Sequence, residues 1–200
     1  MRLGLDFDGT IASWSGAMDR WLREEVGRPL DRDRNVVEQV TRAQLQTMVG
    51  AILGTDLTLA MTPEDEALEV MARLAREHEL LVITARHDHE ATFAAQWLEH
   101  HGAPIREVVS TGRALKADAC RRLGVDVLLD DSAEHLRPLS DGATVPVLFR
   151  ARFGNRAPQP PFVHIVEHWR EFETLCGRLG EASGRDAPAP GAGTTPADAG

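Results

Sequence analysis

Cysteine and basic residues are scarce in this sequence, and both shortages limit what the protein can be. The two cysteines, Cys120 and Cys176, form neither a disulfide framework nor a metal-binding spacing, so we expect buried free thiols in a reducing compartment. Lysine and arginine number 22 against 31 aspartates and glutamates, and the net charge is −9. This balance argues against a nucleic acid polymer as partner. A small phosphorylated metabolite is still compatible with this net charge as a partner, because a bound cation can reverse the local electric field.

Long apolar runs are missing as well. No uninterrupted run approaches the roughly 20 residues that span a bilayer, so we expect no membrane partner. At the N-terminus, Asp6 and Asp8 interrupt the chain before the about 7–15 apolar residues that a signal peptide needs. We therefore expect a cytoplasmic protein. Its oligomeric state stays open, with a homodimer as one alternative.

Strand and helix patterns alternate along most of the chain. Solid apolar runs of this kind indicate strands that are covered on both faces, so we predict an α/β fold with a five-stranded parallel sheet. The glycine-, proline- and alanine-rich stretch 180–200 has no large apolar side chain, and we predict a disordered tail there. The predicted strands are 3–7, 80–83, 105–109, 125–129 and 145–149. The predicted helices lie near 14–26, 36–53, 62–75, 93–98, 115–123 and 167–179.

Unusual polar residues follow three of these strands or open a neighbouring helix. Parallel strands bring their carboxyl ends to one edge of a sheet, which is where ligands bind in such folds. We therefore expect these residues to meet in one crevice. They are Asp6-Phe7-Asp8-Gly9-Thr10, Thr84-Ala85-Arg86, Lys116 and Asp130-Asp131-Ser132.

The acidic residues in this set predict a divalent metal ion. Carboxylates at close range raise one another's pKa unless a cation intervenes. Mg²⁺ suits the site because it binds few carboxylates and keeps water and substrate phosphate as further ligands. Asp6 and Asp8 are two residues apart and project to the same side of an extended segment, so one can attack while the other handles a proton.

The motifs resemble those of the haloacid dehalogenase superfamily. Four of its motifs occur in order, and the resemblance covers about residues 1–150. An acid two residues after the nucleophile is absent from the dehalogenating members, so Asp8 favours a phosphatase or a phosphomutase. The motifs appear here as Asp6-Phe7-Asp8-Gly9-Thr10, Thr84, Lys116 and Asp130-Asp131.

The resemblance implies a role for each of these residues. Asp6 would attack phosphorus and form an aspartyl phosphate, and Asp8 would act as general acid and then as general base. Thr84 would donate a hydrogen bond to the transferring phosphoryl group, and Lys116 would neutralise its charge and hold Asp6. The implied ligands of Mg²⁺ are the Asp6 carboxylate, the Asp8 backbone carbonyl and Asp131, with Asp130 acting through water.

The interval between Thr10 and Thr84 is much longer than one crossover helix needs. We therefore predict a helical cap at 13–60, called the cap segment below, inserted into a core of residues 1–12 and 61–179. Such a cap would close over the pocket and exclude water.

The substrate is less well defined by the sequence. The stretch from Ile83 to Arg86 and the small cap resemble the deoxyribonucleotidase-like branch, although Ala85 replaces the serine of that branch. Its backbone N–H still offers a phosphate contact.

The sequence allows two interpretations for several side chains. Arg86 is expected either at the pocket rim, bound to an anionic substrate group, or on the surface, paired with Asp88 or Glu90. His87 and His89 suit a solvated helix start better than a binding site or a second metal. Trp14 and Trp21 fit core packing better than base stacking.

Three functions remain open on the sequence alone. The favoured one is a phosphatase that hydrolyses a small phosphate monoester, with nucleotides among the candidates. A phosphomutase would use the same scaffold but return the phosphoryl group. A non-catalytic binding protein should have lost Asp6, Asp8 or Lys116, and all three are present.

Overall fold

A computed structural model describes residues 1–150 and 159–185 of the chain. Helices and strands alternate through this part of the chain, as the apolar patterns predict. Short 3-10 helices occur at Val36–Glu38, Asp56–Ala60 and Arg137–Leu139. The remaining elements are β1 (Arg2–Leu5), β2 (Ala12–Ser13), α1 (Ser15–Glu25), α2 (Arg42–Gly54), β3 (Thr62–Pro63), α3 (Ala67–Leu74), β4 (Glu79–Thr84), α4 (Asp88–His100), β5 (Glu107–Ser110), α5 (Ala117–Leu123), β6 (Val127–Asp130), α6 (Ala133–Leu136), β7 (Val145–Phe149), β8 (His164–Val166) and α7 (Trp169–Arg185).

The main sheet has six parallel strands in the order β5-β4-β1-β6-β7-β8. The predicted α/β class and parallel sheet are confirmed, but the predicted number of five strands is wrong. The additional strand is β8 at the edge of the sheet. It has three residues, of which only Val166 is buried, and so short a strand shows no recognisable apolar pattern.

Both faces of the sheet are covered, so alternate residues of a strand enter different cores. Leu3 and Leu5 of β1 belong to the larger cluster, which also receives Trp169 from α7. Leu128 of β6 belongs to the smaller cluster together with Cys120 of α5. Cys120 and Cys176 are buried free thiols, as predicted. Burial raises the pKa of Cys120 to about 11 and that of Cys176 to about 12.

A two-stranded antiparallel sheet closes the base of the cap segment. In it, Ala12 pairs with Pro63 and Ser13 with Thr62. Because Thr62 and Pro63 pair as a strand, α3 begins only at Ala67, so the predicted helix start at Thr62 is wrong. The boundaries of the cap segment stay a prediction.

The helices within the cap segment also differ in detail from the prediction. The predicted helix at 36–53 is divided, because Thr41 forms a capping box with Gln44 and begins α2 at Arg42. Trp21 of α1 is buried and Trp14 packs against the larger core cluster. Core packing is therefore the correct reading of these two tryptophans.

The C-terminal helix extends further than its apolar pattern indicates. Helix α7 continues past the predicted end at Leu179 to Arg185. The rest of the predicted tail, 186–200, lies outside the described residues. Among the helices of residues 1–150 and 159–185, none combines the length and the apolar character needed to cross a bilayer.

Candidate active site

The register of the sheet brings two of the predicted acids together. Leu5 of β1 lies opposite Leu129 of β6, and the backbone N–H of Asp6 donates to the carbonyl of Leu129 at 2.8 Å. The next residues along the two parallel strands are Asp6 and Asp130. Their carboxylates therefore leave the sheet next to each other at its carboxyl edge.

Asp131 completes a group of three carboxylates. One oxygen from each of Asp6, Asp130 and Asp131 lies within 4.8 Å of the others. Burial raises the pKa of Asp6 well above its usual value; Lys116 opposes this shift, and the neighbouring carboxylates add to it. Burial, followed by the charge of Asp130, raises the pKa of Asp131 to about 7. A cation bound among these carboxylates would favour their ionised forms.

Lys116 lies between two of these acids. Its Nζ forms ion pairs with the Asp6 carboxylate and, at 2.7 Å, with Oδ2 of Asp130. The lysine is fully buried at the start of α5. Burial alone would lower its pKa, but Asp130 and Asp6 outweigh that effect and raise it. Lys116 is therefore a fixed positive charge beside Asp6.

The loop after β1 orients Asp6 from the other side. The hydroxyl of Thr10, which is fully buried, donates to Oδ2 of Asp6 at 3.3 Å. The indole Nε1 of Trp169 donates to the carbonyl of Thr10 at 3.1 Å and ties the loop to α7. The sequence places Thr10 in the first motif without a role, and it gives no sign of the contact with Trp169. Both contacts join residues whose proximity depends on the folded loop.

Gly9 allows this loop to approach Asp131. Its φ of 75° is in the left-handed region that favours glycine. A β-carbon at this position would lie 2.5 Å from Oδ2 of Asp131. The glycine therefore meets two requirements, a backbone conformation and a close contact with the acidic group.

Arg86 differs from both predicted alternatives. It is 1% exposed, so it lies neither at the pocket rim nor on the surface. Its Nε donates to Oδ2 of Asp8 at 2.9 Å, and its Nη2 donates to Oδ1 at 2.8 Å. Instead of pairing with the side chain of Asp88 or Glu90, it binds the predicted acid/base residue bidentately. The contact of Arg86 with substrate stays a prediction.

Thr84 and Ala85 lie at the end of β4, the strand next to β1. Thr84 is fully buried, and its Oγ1 accepts from the backbone N–H of Arg86 at 3.2 Å. The carbonyl of Ala85 accepts from the backbone N–H of Arg113 at 2.7 Å. The binding of phosphate by Thr84 and by the N–H of Ala85 stays a prediction.

The two histidines after Arg86 occupy a helix start. His87 is the N-cap of α4, forms a capping box with Glu90, and is exposed. His89 is exposed as well, and its ring stacks on His87 with centroids 6.1 Å apart. The reading as a solvated helix start is therefore correct.

Comparison with known proteins gives the class of this fold. No family model matches the chain. The HAD-hydrolase YfnB of Bacillus subtilis, whose crystal structure is bound to magnesium, superposes with a TM-score of 0.60 at 16% identity. The match covers 87% of this chain and 97% of YfnB. The fold is therefore that of the haloacid dehalogenase (HAD) superfamily.

Two curated relatives match almost the whole chain. "Putative nucleotidase BH1399" of Halalkalibacterium halodurans is 25% identical over 194 residues, which are 92% of this chain and 96% of the relative. "Putative nucleotidase YqfW" of Bacillus subtilis is 22% identical over 179 residues, 86% of this chain and 91% of the relative. The chain is thus similar in fold to HAD-superfamily hydrolases and in sequence to these two relatives, in agreement with the resemblance that its motifs indicate.

Proposed function

We propose that the protein is a Mg²⁺-dependent phosphatase that hydrolyses a small phosphate monoester through an aspartyl phosphate on Asp6. The observation that carries this proposal is the position of Lys116 between Asp6 and Asp130, with Asp131 beside them. Phosphoryl transfer needs mainly positioning and neutralisation of charge. Lys116, a buried cation that contacts Asp6, supplies part of the positioning and part of the charge neutralisation.

Asp6 is the nucleophile in this proposal. Lys116 and Thr10 hold its two carboxylate oxygens, which fixes the orientation of the carboxylate before substrate binds. An oxygen of Asp6 bonds to phosphorus as the bond to the leaving oxygen breaks, and Asp8 donates a proton to that oxygen. Water then attacks phosphorus of the aspartyl phosphate while Asp8 accepts its proton, which releases inorganic phosphate and restores Asp6.

The donor set fits Mg²⁺. Carboxylate oxygens are the ligands that Mg²⁺ prefers. Burial and the neighbouring charge of Asp130 raise the pKa of Asp131 to about 7, and a cation bound beside the three acids would favour their ionised forms. Asp6 and Asp131 would hold the ion together with the backbone carbonyl of Asp8, and Asp130 would act through water. When bound, Mg²⁺ supplies electrostatic stabilisation of the phosphoryl oxygens.

Nucleotides are the substrate class that we propose to test first. Both curated relatives carry the name nucleotidase, and the cap segment lies between β1 and β4, where a lid over the strand ends can be attached. The tryptophans of α1 do not support base stacking, because Trp21 is buried and Trp14 packs against the core. Recognition of a nucleoside would therefore depend on other groups of the cap segment.

The test is phosphate release by the full chain from a panel of phosphorylated metabolites that includes nucleoside monophosphates, with Mg²⁺ present. We expect release with the wild type and none with Asp6→Asn. Asp118→Asn, which changes an exposed acid, is the matched control and should keep full activity. Turnover by Asp6→Asn would refute the nucleophile assignment. Isomerisation of a substrate without release of phosphate would indicate a mutase.

A further inference from the structure

The guanidinium of Arg86 connects Asp8 to the cap segment. On one side, Nε and Nη2 donate to the two oxygens of Asp8 at 2.9 and 2.8 Å. On the other side, Nη1 donates to Oγ1 of Thr58 at 2.9 Å and to the carbonyl of Leu53 at 3.4 Å. Nη2 also lies 3.6 Å from the sulfur of Met61, directly after the cap segment.

The burial of the two partners differs. The side chain of Arg86 is 0% exposed, whereas that of Asp8 is 20% exposed. The guanidinium therefore lies behind the carboxylate, on the side of the protein interior, and it leaves one side of Asp8 accessible. Two parallel hydrogen bonds from a planar guanidinium group prevent a carboxylate from rotating, whereas a single hydrogen bond does not.

Arg86 itself is held by neighbours other than Asp8. Its charged carbon lies 5.1 Å from the centroid of the Phe7 ring, within the range of a cation–π contact. Nη1 also donates to the backbone carbonyl of Glu90 at 3.2 Å. Arg86 is thus fixed by α4, by Phe7 and by the cap segment at once.

We infer that Arg86 is a positioning residue, which orients Asp8 toward the leaving oxygen. Because Arg86 also binds Leu53 and Thr58, the orientation of Asp8 depends on where this part of the cap segment lies. In this role Arg86 acts through Asp8 and not on the reacting atoms directly. A change at Thr58 removes a hydrogen-bond acceptor from Nη1 and leaves the contacts with Asp8 in place. This inference rests on the proposed function, in which Asp8 is the general acid.

Leaving groups of different basicity separate this role from general support of the structure. Phenyl phosphate has a basic leaving oxygen that needs a proton, whereas 2,4-dinitrophenyl phosphate has one that leaves as an anion. A misplaced general acid therefore slows the first substrate much more than the second. A loss of folded protein, in contrast, lowers kcat/KM for both substrates by the same factor.

The first variant is Arg86→Lys, which keeps the charge but removes the fork. We expect kcat/KM to fall about 10- to 100-fold for phenyl phosphate and less than about 3-fold for 2,4-dinitrophenyl phosphate. Equal losses on both substrates would overturn the inference and leave the proposed function intact. Failure of the wild type to hydrolyse any phosphate ester would refute the proposed function and the inference together.

The second variant, Thr58→Val, tests the connection with the cap segment and needs no change at Arg86. We expect the same dependence on the leaving group with a smaller loss, about 3- to 10-fold on phenyl phosphate. The matched control is Thr144→Val, at the residue before β7. Thr58 and Thr144 are both buried, and their hydroxyls donate to the carbonyls of Ile52 and Val125, respectively. A leaving-group dependence in Thr58→Val equal to that of Thr144→Val would overturn the connection.

Discussion

Nζ of Lys116 lies 2.7 Å from Oδ2 of Asp130, and each side chain is 1% exposed. The same nitrogen also pairs with Asp6. Removal of one partner from a buried ion pair leaves an uncompensated charge and costs about 3–5 kcal/mol. We therefore expect Lys116→Met to lower the free energy of unfolding by about this amount, measured by urea denaturation in EDTA, and to abolish phosphatase activity.

A second substitution separates the effects of charge from those of packing at Lys116. In the Lys116→Met background, Asp130→Asn removes one of the two unpaired carboxylates. We expect it to recover part of the lost stability but none of the activity, because Asp6 still lacks its cation. If Asp130→Asn lowered the stability of the double variant further, the charge argument would be wrong.

The contact between Gly9 and Asp131 gives a prediction about metal binding. In Gly9→Ala, the new methyl group must displace the Asp131 carboxylate, which lies 2.5 Å from the β-carbon position. We expect at least a tenfold rise in the Mg²⁺ concentration for half-maximal activity, on the order of the 10–100-fold effects seen when metal-site geometry is disturbed. The measurement is a Mg²⁺ titration of the initial rate.

Gly27 provides the control for backbone strain. Its φ of 77° is close to that of Gly9, but nothing lies within 4 Å of its β-carbon position. Gly27→Ala should therefore lower stability by about 1–2 kcal/mol without a change in the Mg²⁺ requirement. An equal Mg²⁺ requirement in Gly9→Ala and the wild type would show that Asp131 does not depend on this contact.

The positions of the acids could be predicted from the sequence because they depend on strand ends alone. In a parallel sheet, the residue after each apolar run leaves at the same edge, so Asp6 and Asp130 had to approach each other once β1 and β6 became neighbours. Lys116 followed from its place just before α5. These relations need the order of the elements and no detail of side-chain packing.

The environment of Arg86 could not be predicted in this way. Its partners Asp8 and Thr58 lie 78 and 28 residues away along the chain. Its burial depends on how the cap segment packs against α4, which no local pattern encodes. An isolated arginine after a strand is usually exposed, so the sequence favoured an exposed position, whereas Arg86 is 1% exposed. The edge strand β8 was missed for a simpler reason, its length.

Removal of the metal should abolish activity reversibly. Without a cation, oxygens of Asp6, Asp130 and Asp131 lie within 4.8 Å of one another, and Lys116 forms ion pairs with only two of these acids, Asp6 and Asp130. We expect EDTA to eliminate phosphate release and added Mg²⁺ to restore it, and we expect Mg²⁺ to raise the Tm of the wild type. Asp131→Asn, which removes one charge of the group, should show a smaller rise. Full activity of metal-free protein would contradict the assignment of the site.

Glu64, which lies outside the candidate active site, should make the stability of the protein depend on pH. Burial raises the pKa of Glu64 from 4.5 to about 7; a hydrogen bond with Ser13 opposes the shift, and Asp65 adds to it. The folded protein therefore keeps this proton up to about pH 7, whereas the unfolded chain releases it near pH 4.5. The stabilisation is complete below pH 4.5 and is lost as the pH rises through about 7.

Glu64→Gln keeps a neutral side chain at every pH and should lack this loss. We expect the variant to gain stability relative to the wild type between pH 5 and pH 8, on the order of 1–2 kcal/mol after allowance for partial exposure. Urea denaturation at both pH values, with Mg²⁺ saturating, measures the difference. The control is Glu69→Gln, which changes an exposed glutamate of α3. Its free energy of unfolding should differ from that of the wild type by the same amount at both pH values. If the difference in free energy of unfolding between Glu64→Gln and the wild type were also the same at both pH values, the carboxyl of Glu64 would be ionised in the folded protein throughout this range.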